Sequence, residues 1–314
     1  MLIAHDYRVA GLTAPTALAI GNFDGVHRGH QHLFDRVVSA ARTFNGRALA
    51  LTFDPHPTRV LAPDRAAPQL MGLDRRIELM AAAGLDAVVV QRFDTTLSSQ
   101  PAREFVEHIV LGLGAREVFV GNDFHFGRNR EGNGALLKRL GAELGFTAHV
   151  LHPVTEGDAP ISSTRTRKAL ADGDLALVET LLGRRFDLDG LIVHGFHRGR
   201  TLGFPTANLA TPCEALPRDG VYAVRVRVHG DPAGPRHPAV LNLGTRPTLR
   251  AGRSIEAHLL DFDRDLYGRT LRVSFVKRLR DERRFDGLDA LRAQIARDAD
   301  EARATLSQEP DDEP

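Results

Sequence analysis

The sequence predicts an α/β domain built on a doubly wound parallel sheet, followed by a small antiparallel β-barrel and a C-terminal helix. Between residues 17 and 155, short apolar runs alternate with helical patterns, an order typical of a parallel sheet. After residue 190, strand-like alternation between Gly and Pro turns is typical of a small barrel. Because the pattern changes at 181–185, we predict domains at 1–183 and 184–307 and a disordered acidic tail at 308–314.

The strands of the first domain are predicted from short apolar runs bounded by turn-forming residues. We expect them at 17–20, 48–53, 87–90, 117–120 and 149–151. A helix follows the first strand, because apolar residues from Leu33 to Ala41 recur at helical spacing. Further helices are predicted at 74–83, 101–111 and 134–144. Such sheets bind ligands at the carboxyl ends of their strands, so unusual residues at those ends are the first candidates for a site.

The strands of the barrel are predicted from alternation of apolar and polar residues. We expect them at 190–194, 221–228, 239–242, 255–260 and 271–276. From Leu288 the apolar residues Leu291, Ile295 and Ala299 repeat at helical spacing. This pattern predicts a helix that packs on the barrel.

Composition excludes several classes of function. The 314 residues suffice for two cores, and the hydrophobic content of 42% is ordinary for a globular protein. A net charge of +1 provides no global field for a nucleic acid or an anionic membrane, so we expect neither partner. The single cysteine, Cys213, excludes an internal disulfide and fits a reducing compartment. Without a secretion signal or a long apolar run, the sequence predicts a cytoplasmic protein and carries no signal for an oligomeric state.

Residues 21–30 form the first candidate site, between the first strand and its helix. The glycines in this stretch let the backbone approach a ligand, and a helix N-terminus offers unpaired N–H groups to a polyphosphate. His27 and His30, three residues apart, can direct two imidazoles to one phosphate. The pattern also fits a Gly-rich turn with two solvated histidines, or a metal site. No Gly-x-x-x-x-Gly-Lys-Ser/Thr motif is present, so the stretch is not a P-loop.

Three further segments follow predicted strands or precede a helix. The prolines of 53–57 would hold Asp54 and His56 in a stiff loop at the rim of the sheet. Residues 121–127 follow a later strand, and 161–167 places hydroxyl and Arg side chains before a helical pattern. Each segment alone is typical of a turn or a helix cap. Like residues 21–30, these segments lie at the ends of predicted strands or at the start of a helix, and this agreement in position favours a ligand-binding site.

The stretch 199–208 is the candidate site of the barrel. Thr206 and Asn208 stand two apart in an extended segment after Pro205, so they point to the same face. A hydroxyl and an amide carbonyl are hard oxygen donors that suit a Mg²⁺ ion bound to substrate phosphates. The alternative is a Gly/Pro loop whose polar side chains cap their own backbone.

The motifs resemble a known family. The run Gly-Asn-Phe-Asp-Gly-Val-His-x-Gly-His at 21–30 contains the His-x-Gly-His signature of the nucleotidylyltransferase superfamily, and is similar to the branch of prokaryotic bifunctional riboflavin kinase/FAD synthetases. Pro-Thr-Ala-Asn at 205–208 resembles the riboflavin kinase motif, with a Gly-rich flap before it. Further similar runs occur in the family's order at 220–223, 242–248, 256–262, 265–268 and 279–282.

The resemblance implies a Rossmann-like nucleotidylyltransferase domain that makes FAD from FMN and ATP. His27 and His30 would then be catalytic, and FMN would lie near Phe53, Asp54, His56 and Asp123. Arg28 stands where relatives often carry an apolar or different residue, and it adds charge beside the phosphates. The residues that the resemblance implies for ATP binding are Gly21, Asn22, Phe23, Asp24, Gly25, His27, His30, Ser162, Ser163, Thr164 and Arg167.

For the barrel, the resemblance implies a kinase that makes FMN from riboflavin and ATP. Glu256 would be the base for the ribityl hydroxyl, and Thr206 and Asn208 would hold Mg²⁺. The residues implied to contact ATP or flavin are Gly195, Gly199, Arg200, Gly203, Thr206, Asn208 and Arg280.

The expected partners are therefore the small molecules riboflavin, FMN and ATP. Two other functions fit the same patterns. One is a nucleotidylyltransferase for another phosphate acceptor, with a regulatory barrel. The other is a non-enzymatic flavin-binding sensor.

Overall fold

The structure is a computed structural model, and it describes residues 1–9, 15–194, 203–229, 234–245 and 253–309. The chain divides into two compact units. The first contains Met1–Ala67 and Leu73–Ser163, and the second contains Pro68–Gly72 and Thr164–Pro314. The second unit thus includes residues from Thr164 onward, whereas the predicted domain boundary follows residue 183.

The strands of the first unit form a parallel sheet and two small hairpins. Within the described residues, six parallel strands follow the order β1-β4-β3-β2-β5-β8, while β6–β7 and β9–β10 pair separately. The strands are β1 (Leu2–Ala4), β2 (Thr16–Ile20), β3 (Arg47–Asp54), β4 (Ala87–Arg92), β5 (Ala115–Gly121), β6 (His125–Phe126), β7 (Gly132–Asn133), β8 (Thr147–Leu151), β9 (Thr155–Glu156) and β10 (Ala159–Pro160). The predicted doubly wound parallel sheet is thus confirmed.

The central strands of the sheet are buried along most of their length, and for this reason they appear in the sequence as apolar runs. All five residues of β2 and the central six of β3 are buried, as expected when helices cover both faces of a parallel sheet. β2 lies between β3 and β5, so the strand order reverses beside it. The loop that follows β2 therefore begins at the topological switch point, where open α/β sheets bind their ligands.

The helices of the first unit fill the connections between strands. They are α1 (Arg28–Thr43), α2 (Pro57–Leu61), α3 (Leu73–Ala82), α4 (Thr95–Ser98), α5 (Ala102–Phe105) and α6 (Gly134–Leu144), with 3-10 turns at Tyr7–Val9, Pro63–Arg65 and Arg128–Arg130. The helix predicted at 101–111 is α5 continued by a π-helical turn, Val106–Val110. Helix α1 buries Leu33, Phe34, Val37 and Ala41, as its periodicity predicts.

The second unit is a closed barrel with antiparallel pairing. Within the described residues its strands follow the cyclic order β11-β12-β15-β14-β13-β16. They are β11 (Asp187–Val193), β12 (Ala207–Ala210), β13 (Gly220–Val228), β14 (His237–Thr245), β15 (Arg253–Leu259) and β16 (Thr270–Arg280). The predicted antiparallel barrel is confirmed.

Two helices that precede the barrel pack with it. Helices α7 (Ser163–Asp172) and α8 (Leu175–Leu182) place Leu170 and Val178 in the apolar cluster inside the barrel. The segment Pro68–Gly72 joins the same cluster through Leu70. Because of these contacts, residues 164–183 belong to the compact second unit.

The C-terminal helix α9 (Leu288–Gln308) covers part of the outer barrel surface. Its residues Ala299, Ala302 and Leu306 pack against a strip that includes Val221 and Val240. This contact confirms the predicted helix on the barrel. Gln308 belongs to the helix rather than to a tail, and residues 310–314 lie outside the described residues.

A buried ion pair fastens α9 to the barrel. Asp298 is 3% exposed and accepts hydrogen bonds from Arg280 Nε and Nη2 at 2.9 and 2.6 Å, and from Gln294 Nε2 at 2.6 Å.

Asp298→Ala should lower the free energy of unfolding of the second unit by about 3–5 kcal/mol, because it leaves a largely buried guanidinium without its counter-charge. Denaturant unfolding of the full chain measures this. The control is Asp300→Ala on the same helix, whose exposed pair with Arg303 should contribute less than about 1 kcal/mol. Equal losses in the two variants would contradict a net stabilising role for the buried pair.

Candidate active sites

The turn that leaves β2 has an unusual backbone. Phe23, Gly25 and Val26 have φ values of 52°, 86° and 41°, in the left-handed region that β-branched residues such as Val rarely adopt. Phe23 and Val26 are nevertheless buried, and the ring of Phe23 packs against that of Phe34 with centroids 4.8 Å apart. Surrounding packing therefore holds this strained turn at the switch point.

The turn delivers both histidines to the start of α1. His27 is the N-cap residue, and its Nδ1 accepts a long hydrogen bond of 3.4 Å from the backbone N–H of His30. The two imidazole rings stack, with centroids 3.6 Å apart and planes at 18°. The structure thus brings the two predicted histidines together at a helix N-terminus.

The stacked histidines carry an unsatisfied polar atom. Within the described ranges, Nδ1 of His30 is buried without a hydrogen-bond partner. Burial lowers the pKa of His30 well below its usual range, and the electrostatic influence of the neighbouring His27 and Arg76 lowers it further. His30 is therefore neutral near pH 7. A buried nitrogen of this kind would gain a partner from a ligand oxygen.

Arg76 also contacts this turn, and no motif in the sequence points to it. Its side chain on α3 is 3% exposed, and Nη1 donates to the carbonyl oxygen of Asn22 at 2.7 Å. A charged residue within the buried face that includes Ile77 and Met80 was the available signal.

The neighbouring strand ends hold other predicted residues. Asp54 ends β3, and His56 caps α2 by accepting from the backbone N–H of Thr58. Asp123 follows β5 and is exposed. Because β3 and β5 flank β2 in a parallel sheet, their carboxyl ends share one edge with the turn. Phe53 differs from these residues: it is 7% exposed and belongs to the apolar core.

The residues around 162–167 divide between the two units. Ser162 and Ser163 belong to the first unit, where Ser163 Oγ donates to the carbonyl oxygen of Asp24 at 2.8 Å. Thr164 and Arg167 belong to the second unit, where Arg167 Nε donates to the carbonyl oxygen of Pro68 at 2.6 Å.

Arg28, at the start of α1, forms an ion pair with Glu156 on β9. Nη1 of Arg28 lies 2.6 Å from Oε2 of Glu156, and both side chains are more than a third exposed. Glu156 therefore balances part of the charge that Arg28 adds beside the histidines. Such an exposed pair contributes little to stability.

The barrel carries a row of polar residues across three adjacent strands. In the strand register, Glu256 of β15 is opposite both Asn208 of β12 and Asn242 of β14. Residues that are directly opposite share one face of a sheet. The alternating residues Ile255 and Ala257 face the apolar interior, so the polar row lies on the outer face of the barrel.

Comparison with known proteins decides the family. Residues 11–165 match the family model described as FAD synthetase, and residues 182–306 match the one described as riboflavin kinase. A protein of Escherichia coli (strain K12) named bifunctional riboflavin kinase/FMN adenylyltransferase is 43% identical over 90% of this chain and 90% of its own. This chain belongs to the bifunctional riboflavin kinase/FMN adenylyltransferase family. The predicted resemblance and both predicted activities are thereby confirmed.

Other members of the bifunctional riboflavin kinase/FMN adenylyltransferase family are similar to this chain over nearly the same length. The Pseudomonas fluorescens and Bacillus subtilis (strain 168) proteins of that name are 41% and 34% identical, over 91% and 92% of this chain and equal shares of their own. A crystal structure titled macrolide-efflux protein from Streptococcus pneumoniae has a TM-score of 0.84 at 29% identity, and covers 96% of this chain and 98% of its own. Among the described residues, no helix is long and apolar enough to cross a membrane.

The donor set on the barrel fits the Mg²⁺ expected for a riboflavin kinase. Thr206 precedes β12 and Asn208 lies on it, both half-buried, with Glu256 opposite Asn208. These are hard oxygen donors, too few for a closed metal cage and suited to an ion that keeps waters and binds phosphates. The described residues contain no group of three or more His, Cys, Asp or Glu that could hold a metal.

The remaining predicted kinase residues have different outcomes. Gly195, Gly199 and Arg200 lie outside the described residues. Gly203 is exposed with a φ of 86°, a conformation that favours glycine. Arg280 forms the ion pair with Asp298 on α9, so its guanidinium already has a partner within the protein. A contact between Arg280 and substrate stays a prediction.

Proposed function

We propose that the two activities of the family are divided between the two units. The barrel would transfer the γ-phosphoryl group of ATP to the 5′-hydroxyl of riboflavin, and the first unit would join the resulting FMN to the AMP part of a second ATP. One observation supports this division: each unit has its own set of polar residues, His27 with His30 in one and Asn208 with Glu256 in the other.

In the kinase step, the ribityl oxygen forms a bond to the γ-phosphorus as the bond to the β,γ-bridging oxygen breaks. The hydroxyl proton passes to the carboxylate of Glu256, and ADP leaves with the bonding electrons. Thr206 and Asn208 would hold Mg²⁺, which would neutralise charge on the ATP phosphates. The half-buried position of Glu256 keeps the base accessible to a substrate hydroxyl.

In the adenylyl step, an oxygen of the FMN phosphate attacks the α-phosphorus of ATP and pyrophosphate leaves. The nucleophile is already anionic, so neither a general base nor a covalent enzyme intermediate is required. His27, His30 and the N–H groups that begin α1 face the phosphates and stabilise the charge that develops on them.

The other predicted contacts complete the adenylyltransferase site. Ser162 and Ser163 of the first unit would donate to ATP oxygens. Contacts of Thr164 and Arg167 with ATP stay predictions from the family resemblance. Asp54, His56 and Asp123 would lie near the flavin, at the sheet edge that they share with the turn. The core position of Phe53 leaves it the weakest of the flavin contacts.

Flavin chromatography tests the proposal. Purified protein given riboflavin, ATP and Mg²⁺ should form FMN first and then FAD, because FMN is the substrate of the second step. The control replaces Mg²⁺ with a chelator and should yield neither product. Failure to form FMN from riboflavin and FAD from supplied FMN would refute the proposed function, while pyrophosphate release with another phosphate acceptor would favour a different adenylyltransferase.

A further inference from the structure

Arg76 is a buried cation that the two proposed reactions do not use. Its side chain is 3% exposed, and within the described part of the chain it forms no ion pair. Its Nε is buried without a hydrogen-bond partner. Burial lowers the pKa of the guanidinium, and the charges of Asp24 and Asp54 oppose that shift. A buried guanidinium without an ion-pair partner is costly to the fold, and an apolar side chain of similar length would avoid that cost.

The contacts of Arg76 converge on one backbone oxygen. Nη1 donates to the carbonyl of Asn22 at 2.7 Å and lies 3.4 Å from Oγ1 of Thr52. Thr52 Oγ1 donates to the same carbonyl at 3.2 Å. The carbonyl is therefore held from two sides, by α3 and by the end of β3.

The Asn22 carbonyl lies where its contacts can fix the conformation of the turn that follows. Asn22 immediately precedes the strained turn from Phe23 to Val26, which leads directly into the capping residue His27. A turn with non-glycine residues at positive φ persists only when surrounding contacts fix it. Release of the Asn22 carbonyl would let the turn relax and change the direction of the histidines.

We propose that Arg76 is a positioning residue for adenylyl transfer, which holds the Asn22 carbonyl and thereby orients the turn that carries His27 and His30. This inference rests on the function proposed for the first unit. Arg76 acts through the backbone and need not touch the substrate. Its loss should therefore lower the turnover of bound substrate more than the binding itself.

The test compares Arg76→Met with Arg76→Lys in the full chain. With FMN and ATP as substrates, Arg76→Met should lower kcat for FAD formation by about 100-fold and change either KM by less than about threefold, as expected for misplaced catalytic groups. Arg76→Lys should recover about tenfold, because an ammonium can still donate to the Asn22 carbonyl. Arg75→Met is the matched control on the same helix, and it removes the ion pair with Glu78 while leaving Arg76 in place.

Riboflavin phosphorylation by the same samples reports on the second unit and should stay unchanged. Absence of FAD formation in the unaltered protein would refute the proposed function rather than this inference. With an active parent, the inference is overturned if Arg76→Met retains more than a third of kcat, or if its defect lies only in KM. Should Arg76→Met fail to fold, Arg76→Lys decides: activity no higher than that of a His30 variant, in a folded protein, would overturn the inference.

Discussion

Glu256→Gln should nearly abolish the formation of FMN from riboflavin and leave the conversion of FMN to FAD unchanged. The amide has the size of the carboxylate and keeps the same place opposite Asn208 and Asn242 in the strand register. It cannot accept the proton of the ribityl hydroxyl. Loss of a general base lowers turnover by roughly 10²–10⁴-fold, so kcat for riboflavin should fall within that range.

The measurement follows riboflavin and FMN by chromatography, with FMN-to-FAD conversion assayed separately from supplied FMN. Glu179→Gln, on an exposed position of α8, makes the same chemical change in the same unit and should have no effect. Retention of more than a tenth of the kinase activity by Glu256→Gln would remove this residue from the role of base. An unchanged KM with a reduced kcat would agree with a role in the chemical step.

The fold was predictable because its signals are local and repeated. Apolar runs identified β2 to β5 and β8, and alternation identified β11 and β13 to β16. β1 was missed because it has three residues, of which Leu2 and Ile3 are exposed. The four-residue strand β12 coincides with a polar motif, so the sequence indicated only an extended segment there. Both short strands are defined by their pairing partners rather than by their own pattern.

The site was predictable only where its residues are neighbours in sequence. His27 and His30 lie three apart, and their spacing on a helix brings them together without any knowledge of the fold. Arg76 reaches the Asn22 carbonyl across 54 positions, and Asn242 meets Glu256 only through the register of β14 with β15. Such contacts depend on tertiary packing, which a pattern within one segment does not encode.

His30→Ala should have the reverse effect of the Glu256 variant: FAD formation from FMN should fall by about 10²–10³-fold, as for loss of one preorganised donor at a developing charge, while FMN formation continues. Nδ1 of His30 is buried without a partner among the described residues, so the alanine leaves no hydrogen bond of that atom broken within the protein. Riboflavin given to this variant should therefore accumulate as FMN. Chromatography of the flavins distinguishes this result from the parent.

His32→Ala is the matched control for the adenylyltransferase variant. His32 is an exposed histidine on the same helix, two residues further along α1, and its loss should leave both steps unchanged. If either His30→Ala or Glu256→Gln abolished both activities in a folded protein, the two sites could not be independent. Opposite single losses would instead mean that each unit performs one reaction, and that the barrel produces the FMN which the turn after β2 converts to FAD.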